Sequence, residues 1–359
     1  MNEKRNAGID LLRVLSMLMI VVFHILYHGG VPWAEEISYK GYLVTLCLQT
    51  FCLCAVDAYA IISGYVGVHA RWSLSSLALL YLRVWLYSVA ATAVIMLVFP
   101  GSVDKGAILK ALLPVTRDQY WYFTAYFGCY LLSPLINAAF RTMKKQESLV
   151  CLLSCFAAYS ILPSFFHVNP FQTNTGNSVL WLLLLYALGA YIRVHGWLNG
   201  HSLRSVFALL CGASLLCALS GFGIELVTKL FTGKKEGFFW LFRNDSPTLL
   251  LPAALAVVLF SRLRILHGRK IIAFLAPLCF SVYLIHDHPL VRTHVISAYM
   301  RPLGNLPFAL LLPCILLAAL AVFVFCIGID WLRECIFTSL RLKEKLRGLE
   351  IRLIRNIGE

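Results

Sequence analysis

The chain has 359 residues, of which 60% are hydrophobic and only 13% are charged. Soluble proteins carry about 25% charged residues, so this composition, with a mean hydropathy of +0.78, excludes a soluble globular protein and indicates a membrane protein. The formal net charge of +14 would suit nucleic-acid binding, but the Lys and Arg residues lie in short segments between apolar runs and in the C-terminal tail. Membrane orientation and anionic lipid headgroups account for that distribution, so the predicted partner is the lipid bilayer and no nucleic acid.

Ten apolar segments are long enough to cross a bilayer as helices, which requires about 20 residues each. An even number of spans places both termini on the same side of the membrane. The positive-inside rule selects the cytoplasmic side, because that choice puts 19 of the 31 Lys and Arg residues inside and 10 outside. The predicted fold class is therefore all-α, an integral membrane bundle of about ten transmembrane helices with both termini cytoplasmic. The ten segments are 7–28, 42–68, 74–99, 119–140, 148–167, 177–195, 203–224, 246–262, 271–291 and 305–331.

Two long connections and the tail lie outside these spans. The connections, residues 100–118 and 225–245, face outward in this topology and either shape an acceptor site or merely join spans. The first contains a candidate surface helix, DKGAILKALL at 104–113. From residue 333 onward, seven basic residues and helically spaced apolar residues predict an amphipathic helix on the anionic cytoplasmic leaflet. The predicted domains are thus a transmembrane domain at 1–332 and a basic cytoplasmic tail at 333–359.

Small residues inside the apolar runs indicate packing rather than chemistry. Nearly all of the 12 Cys residues lie in these runs, where they act as small hydrophobic side chains. No C-x-x-C pair occurs and no Cys is spaced from a His as in zinc sites, so we predict neither a metal site nor a permanently bound cofactor. Ser63 and Gly64 are small enough to let two helices approach closely.

Ionisable side chains within a span cost about 2.5–3.5 kcal/mol each at the helix centre, which makes them the first candidates for a functional site. The first segment contains Asp10, Arg13 and His24. Arg13 and His24 are eleven residues apart, within about 20° of three whole turns, so they share one helix face and lie roughly 16 to 17 Å apart along the axis. Asp10 precedes Arg13 by three residues and is expected to support it as an ion-pair partner.

His24 has only apolar neighbours in sequence, and an imidazole in such surroundings is expected to be neutral, the form that accepts a proton from an attacking hydroxyl. A packing role is the alternative for a histidine on its own. Asp57 in the second segment is a second supporting residue, which either fixes the tautomer of a histidine or pairs with Arg83 in the third. The ninth segment ends with His286, Asp287 and His288, and the i, i+2 spacing of the two histidines argues against a shared metal.

The order of these motifs resembles one known family. Arg13 and His24, separated by ten residues and preceded by the sequence GID, resemble the R-x10-H signature of the acyltransferase-3 family of integral-membrane acyltransferases. Four later segments agree with that family in order, although the third span has a single basic residue, Arg83, where many relatives have a pair. These segments are VDAYAIISGYVG at 56–67, YLRVWLY at 81–87, WYFTAYFGCYLLSPLIN at 121–137 and FSVYLIHDHPLV at 280–291.

The resemblance implies a multi-pass acyltransferase of the cell membrane. It implies transfer of an acyl group, commonly acetyl, from cytoplasmic acyl-CoA as co-substrate to a hydroxyl of a surface or exported carbohydrate. Arg13, with help from Arg83, would hold the phosphates of the donor. His24 would be the general base, and His286 a second catalytic imidazole that orients the acceptor or relays a proton. The group that stabilises the tetrahedral oxyanion is not identified by the sequence.

Two other functions remain open from the residues alone. A transporter or flippase for a glycan or a small anion also has many spans with buried Arg, His and Asp, although paired short or broken helices in corresponding halves are not evident. A membrane module that binds or senses without turnover is the third possibility. The aromatic cluster around Trp121 and Tyr122 either stacks on a sugar or belongs to an interfacial belt.

Overall fold

The computed structural model describes residues 5–233 and 238–358, and within these residues every regular element is helical. The first eight helices are α1 (Ala7–Tyr27), α2 (Tyr39–Gly67), α3 (Leu74–Val98), α4 (Lys105–Leu112), α5 (Trp121–Thr142), α6 (Lys145–Phe156), α7 (Leu162–Phe166) and α8 (Val179–His195). The other eight are α9 (Leu203–Thr232), α10 (Pro247–Arg262), α11 (Arg269–Leu275), α12 (Cys279–His286), α13 (Pro289–Val291), α14 (Ser297–Met300), α15 (Phe308–Ser339) and α16 (Leu342–Gly358). Short π-helical segments, Ala157–Ile161 and Arg292–Ile296, join α6 to α7 and α13 to α14.

The helices follow the predicted spans in order and confirm an all-α membrane bundle. Seven helical segments of the described chain are long and apolar enough to cross a membrane, and α11 with α12 forms an eighth that is bent by 43°. The remaining two predicted spans are the shorter apolar helices α8 and α10, of 17 and 16 residues. The candidate surface helix at 104–113 is α4.

Two helices extend well beyond the predicted ends of their spans. α9 continues to Thr232 and α15 to Ser339, eight residues past the ends expected at 224 and 331. The expected ends followed the apolar runs, whereas both helices continue into polar sequence. The boundary expected between residues 332 and 333 therefore lies inside α15, and the separate tail helix is α16.

A polar residue ahead of the first apolar run determines where α1 begins. Asn6 Oδ1 accepts hydrogen bonds from the amides of Gly8 and Ile9 at 2.9 and 3.2 Å. This N-cap satisfies N–H groups that have no partner within the helix. The Asn6 side-chain amide also donates to the Ser261 carbonyl at 2.7 Å, which ties the start of α1 to the end of α10.

α2 and α8 pack against each other through reciprocal glycines. A Cβ atom at Gly64 would lie 1.8 Å from the Tyr186 carbonyl oxygen, and one at Gly189 would lie 2.0 Å from the Ile61 carbonyl oxygen. The two backbones are thus in direct contact, which small residues permit in membrane bundles. The close approach expected at Gly64 is confirmed. α1 and α10 pack against α2, and α5 packs against α8, so this pair lies at the centre of the bundle.

The predicted ninth span, 271–291, is not a continuous helix. α11 ends at Leu275 and α12 begins at Cys279, because Pro277 between them lacks an N–H and its ring obstructs the preceding turn. The Pro277 carbonyl accepts a hydrogen bond from Arg83 Nη1 at 3.3 Å. The break therefore lets α12 take its own angle in the bundle while α3 satisfies the carbonyl at the bend.

The tail helix α16 is attached to the start of α3. Glu350 accepts hydrogen bonds from Ser75 Oγ at 2.6 Å, from the Leu74 amide at 2.7 Å and from Ser73 Oγ at 3.0 Å. These hydrogen bonds, of which the one from Ser75 has the largest effect, lower the pKa of the Glu350 carboxyl. A carboxylate beside the N-terminus of a helix is also favoured by the helix dipole, so α16 contributes to the capping of α3.

Candidate functional site

Three adjoining cavities follow one side of α1. Arg13 lines the first cavity, of about 190 Å³; His24 lines the neck, of about 30 Å³; and His28 lines the second cavity, of about 300 Å³. The first cavity and the neck share the wall residues Tyr59, Tyr122 and Phe280, and the neck and the second cavity share His24, Val56 and Trp121. The three cavities therefore adjoin one another in a row along α1, and the smallest lies beside His24.

The first cavity has a guanidinium group in an otherwise largely aromatic and aliphatic wall. Among the described residues, the Arg13 guanidinium has one hydrogen-bond partner, Asp10 Oδ1, at 3.5 Å from Nη1. The expected Asp10–Arg13 pair is thus present but long, because Arg5 makes the closer contact with the Asp10 carboxylate. Arg13 consequently keeps most of its N–H donors for the cavity, where they can bind phosphate oxygens. Ser63, Leu80, Tyr126, Ala276 and Pro277 complete the wall.

His24 is hydrogen-bonded to a second buried imidazole. His24 Nδ1 lies 2.9 Å from His286 Nε2, and His286 Nδ1 lies 2.6 Å from the Val282 carbonyl oxygen. A carbonyl oxygen only accepts, so the proton of neutral His286 is on Nδ1 and its Nε2 is an acceptor. His24 must then donate from Nδ1, which leaves the lone pair of its Nε2 unprotonated. The hydrogen-bond network thereby selects the His24 tautomer whose Nε2 can accept a proton.

A buried carboxyl group lies beside this pair. Asp287 Oδ1 is 3.5 Å from His24 Nδ1, 3.6 Å from His28 Nε2 and 3.6 Å from Arg292 Nη1. None of these contacts is a hydrogen bond, and within the described residues Asp287 Oδ1 has no hydrogen-bond partner. One ligand atom each from His24, His28 and Asp287 lies within 4.8 Å of the others, so this group has the spacing to hold a metal ion.

The second cavity combines aromatic rings with amide and hydroxyl groups. Asn244 Nδ2 donates to Asn177 Oδ1 at 2.8 Å across its wall. Arg243 is paired through both Nε and Nη2 with Asp245, at 2.8 and 2.9 Å, so its charge is compensated. Of the long connection 225–245, residues 242–244 line this cavity. The other lining residues include Phe23, Tyr27, Leu53, Thr175, Asp287 and Arg292.

A family model described as an acyltransferase domain, that of the acyltransferase-3 family, matches residues 6–329. The chain belongs to the acyltransferase-3 family. The match includes α1 to α14 and most of α15, so the resemblance inferred from the order of the motifs is confirmed. The protein is a membrane acyltransferase. No curated protein and no solved structure matches the chain.

Two of the residues expected at the site of this acyltransferase have other contacts. Arg83 does not line the first cavity; besides the Pro277 carbonyl it contacts Glu334, with Nη2 3.7 Å from Oε2. Asp57 Oδ1 accepts a hydrogen bond from Trp181 Nε1 at 3.2 Å, so its partner in the described chain is neither a histidine nor Arg83. The close packing of α2 on α8 brings Trp181 to Asp57.

Other residues that line the second cavity were missed in the sequence. His28 lies four residues after His24 and therefore on the same helix face, a spacing that would have indicated it. Arg292 and Asn244 carry no such local signal, because they reach the cavity from separate connections. His288 faces away from His286, as its spacing predicts, and its Nε2 lies 3.3 Å from Thr92 Oγ1.

Proposed function

We propose that this acyltransferase moves an acetyl group from cytoplasmic acetyl-CoA to a hydroxyl of a surface or exported carbohydrate. The observation that carries the proposal is the contact between His24 Nδ1 and His286 Nε2, which favours an unprotonated His24 Nε2 beside a neck that adjoins two cavities. A base at the narrowest point can act on a donor that enters from one cavity and an acceptor that enters from the other.

The donor binds in the first cavity. Arg13 holds its phosphates, and the extended arm of the donor runs along α1 toward His24, a distance of roughly 16 to 17 Å for eleven helical residues. The Pro277 wall of this cavity is held by Arg83, which positions the cavity without touching the donor. The neck has room for about one or two water molecules, and this size favours a short acyl group such as acetyl.

The acceptor binds in the second cavity. Aromatic faces such as those of Tyr27 and Phe242 pack against the apolar face of a sugar, and the Asn177 and Asn244 amides offer both donors and acceptors to its hydroxyls. Such a wall fits a neutral polar ligand, since the charge of Arg243 is compensated by Asp245 and the Arg292 guanidinium lies 3.6 Å from the Asp287 carboxyl.

The reaction follows from the tautomer of His24. Its Nε2 takes the proton of the acceptor hydroxyl as the oxygen attacks the thioester carbonyl carbon. The C–O bond forms, the C–S bond breaks, and the leaving thiolate takes the proton from His24 Nε2. His286 accepts from Nδ1 throughout, and the nearby Asp287 carboxyl favours the transient imidazolium, as an orienting carboxylate does in other base-assisted transfers.

The test uses purified protein with radiolabelled acetyl-CoA and a panel of glycans. We expect His24→Ala to lower kcat by about 10²- to 10⁴-fold, the usual contribution of general acid–base catalysis. We expect Arg13→Ala to raise the KM for acetyl-CoA with a smaller effect on kcat, because the phosphates are bound equally in the ground and transition states.

Two exposed residues provide matched controls, His69→Ala for His24 and Arg71→Ala for Arg13. Both are expected to retain wild-type rates. Full transfer by His24→Ala would refute the role of the base. Solute flux through reconstituted wild-type protein without acyl-CoA, together with no transfer to any glycan, would favour the transporter instead.

A further inference from the structure

The neck contains two buried hydroxyl groups whose protons have no acceptor in the described chain. Tyr122 and Tyr283 are 7% and 5% exposed, and the one contact of their Oη atoms is the Tyr122 amide, which faces Tyr283 Oη as a donor. A buried polar group left unsatisfied costs about 1–3 kcal/mol. Three other buried tyrosines are satisfied, each donating from its hydroxyl. Their acceptors are Asp330 Oδ1 for Tyr87 at 2.7 Å, the Leu284 carbonyl for Tyr120 at 2.9 Å and Asn137 Oδ1 for Tyr186 at 3.0 Å.

The same neck receives the N-terminus of a long helix. α5 has 22 residues, and Tyr120 at its N-cap position makes no side-chain cap hydrogen bond. The N–H groups of the first turn have no acceptor within the helix and carry partial positive charge. Trp121 and Tyr122, the first two residues of α5, both line the neck. The amides of this first turn, that of Tyr122 facing Tyr283 Oη, and a hydroxyl proton without an acceptor therefore meet at the neck that His24 lines.

We propose that the Tyr283 hydroxyl and the uncapped N-terminus of α5 form the oxyanion hole of the transfer reaction, with the Tyr122 hydroxyl beside them. This assignment rests on the proposed acyl transfer. When the acceptor oxygen attacks, the carbonyl π electrons move to oxygen, and the resulting C–O⁻ accepts hydrogen bonds from these donors. Its collapse restores C=O and expels the thiolate. Tyr283 keeps its proton throughout.

The position of Tyr283 on α12 couples the two parts of the site. Tyr283 and His286 are three residues apart and are neighbours on the helix surface. α12 thus supplies both the imidazole that orients His24 and the hydroxyl that faces the developing charge. The break at Pro277 gives this short helix an orientation independent of α11.

The test compares Tyr283→Phe with the wild type. Loss of one oxyanion donor typically lowers kcat by about 10²- to 10³-fold. We expect Tyr283→Phe to lower kcat by this amount and to change the KM for acetyl-CoA by less than about threefold. Tyr186→Phe is the matched control, since it removes a satisfied buried hydroxyl away from the neck and is expected to leave kcat unchanged.

A second readout separates catalysis from folding. A thioether analogue of acetyl-CoA, which lacks the carbonyl, is expected to bind Tyr283→Phe and wild type with equal affinity in calorimetry, whereas a structural defect would weaken binding. If Tyr283→Phe does not fold, 3-fluorotyrosine at position 283 preserves the shape and changes only the acidity of the donor. We expect it to alter kcat at an unchanged melting temperature.

An unchanged kcat in both Tyr283→Phe and the Tyr122→Phe, Tyr283→Phe double variant would overturn the assignment. An unchanged kcat with 3-fluorotyrosine would overturn it when Tyr283→Phe does not fold. Neither result affects the proposed acyl transfer, which fails only if wild-type protein transfers no label or if His24→Ala transfers it fully.

Discussion

His24 can act as a base only while its proton is on Nδ1. The bond to His286 Nε2 imposes this tautomer, and a metal ion would reverse it. Ligand atoms around tetrahedral zinc, with bonds of about 2.0–2.1 Å, lie about 3.3–3.4 Å apart. The distances from Asp287 Oδ1 to His24 Nδ1 and His28 Nε2, 3.5 and 3.6 Å, are close to that value. Zinc on His24 Nδ1 would move the proton to Nε2 and remove the base.

We therefore expect Zn²⁺ to inhibit transfer, and EDTA to restore the rate. His28→Asn is expected to raise the Zn²⁺ concentration that halves the rate by at least about tenfold. Each protein is compared with its own metal-free rate. Glu36→Gln, an exposed substitution, is the matched control. Equal inhibition of wild type and His28→Asn would place the metal elsewhere, and activation by Zn²⁺ would contradict the tautomer argument.

Single residues were predicted from local chemistry, but their partners on other helices were not. Arg13, His24 and His286 stand out because an ionisable group within a membrane span is energetically costly. The 2.9 Å contact between His24 and His286 joins residues 262 positions apart, and helical spacing reports only which face a residue occupies, never which helix it meets. Because the sequence does not show which helices meet, Asp57 was assigned a histidine or Arg83 as its partner instead of Trp181.

At the scale of elements, the contact between α2 and α8 determines how the walls of the cavities are held. We expect Gly189→Ala to destabilise the protein by about 1–3 kcal/mol, since its Cβ would overlap the Ile61 carbonyl oxygen and overpacking of this kind forces backbone shifts. Thermal unfolding in detergent measures the effect. Gly212→Ala in α9 is the control: its Cβ meets nothing within 4 Å, so alanine is expected to stabilise the helix slightly. A melting temperature for Gly189→Ala at or above that of wild type would contradict the packing argument.

Helices were easier to predict than their interruptions. Apolar runs of about 20 residues identify spans because the bilayer imposes their length, and each predicted run contains a helix. The helix break within the run at 271–291 was missed, since Pro277 is apolar and does not interrupt a hydropathy pattern. The continuation of α15 to Ser339 was missed for the opposite reason, because polarity ends a membrane span without ending a helix.

At the scale of the whole molecule, the row of cavities along α1 makes the proposed reaction sided. With both termini in the cytoplasm, as the charge distribution predicts, the first cavity opens to the cytoplasm. We expect acetyl-CoA added to sealed inside-out vesicles to label an acceptor enclosed in them. Right-side-out vesicles given the same donor are expected to show no labelling until they are permeabilised, with His24→Ala as the control for enzyme-independent label. Equal labelling of both kinds of sealed vesicle would contradict this topology.

The narrow neck also protects the energy stored across the membrane. Two cavities of about 190 and 300 Å³ would, if joined by a wide passage, hold a continuous column of water through which protons could run down their gradient. The neck of about 30 Å³ lies between the rings of Tyr59, Tyr122 and Phe280 and has room for only about one or two water molecules, and narrow constrictions restrict ion passage. In the proposed reaction, a two-carbon unit therefore passes from one cavity to the other without a continuous column of water between the two faces of the membrane.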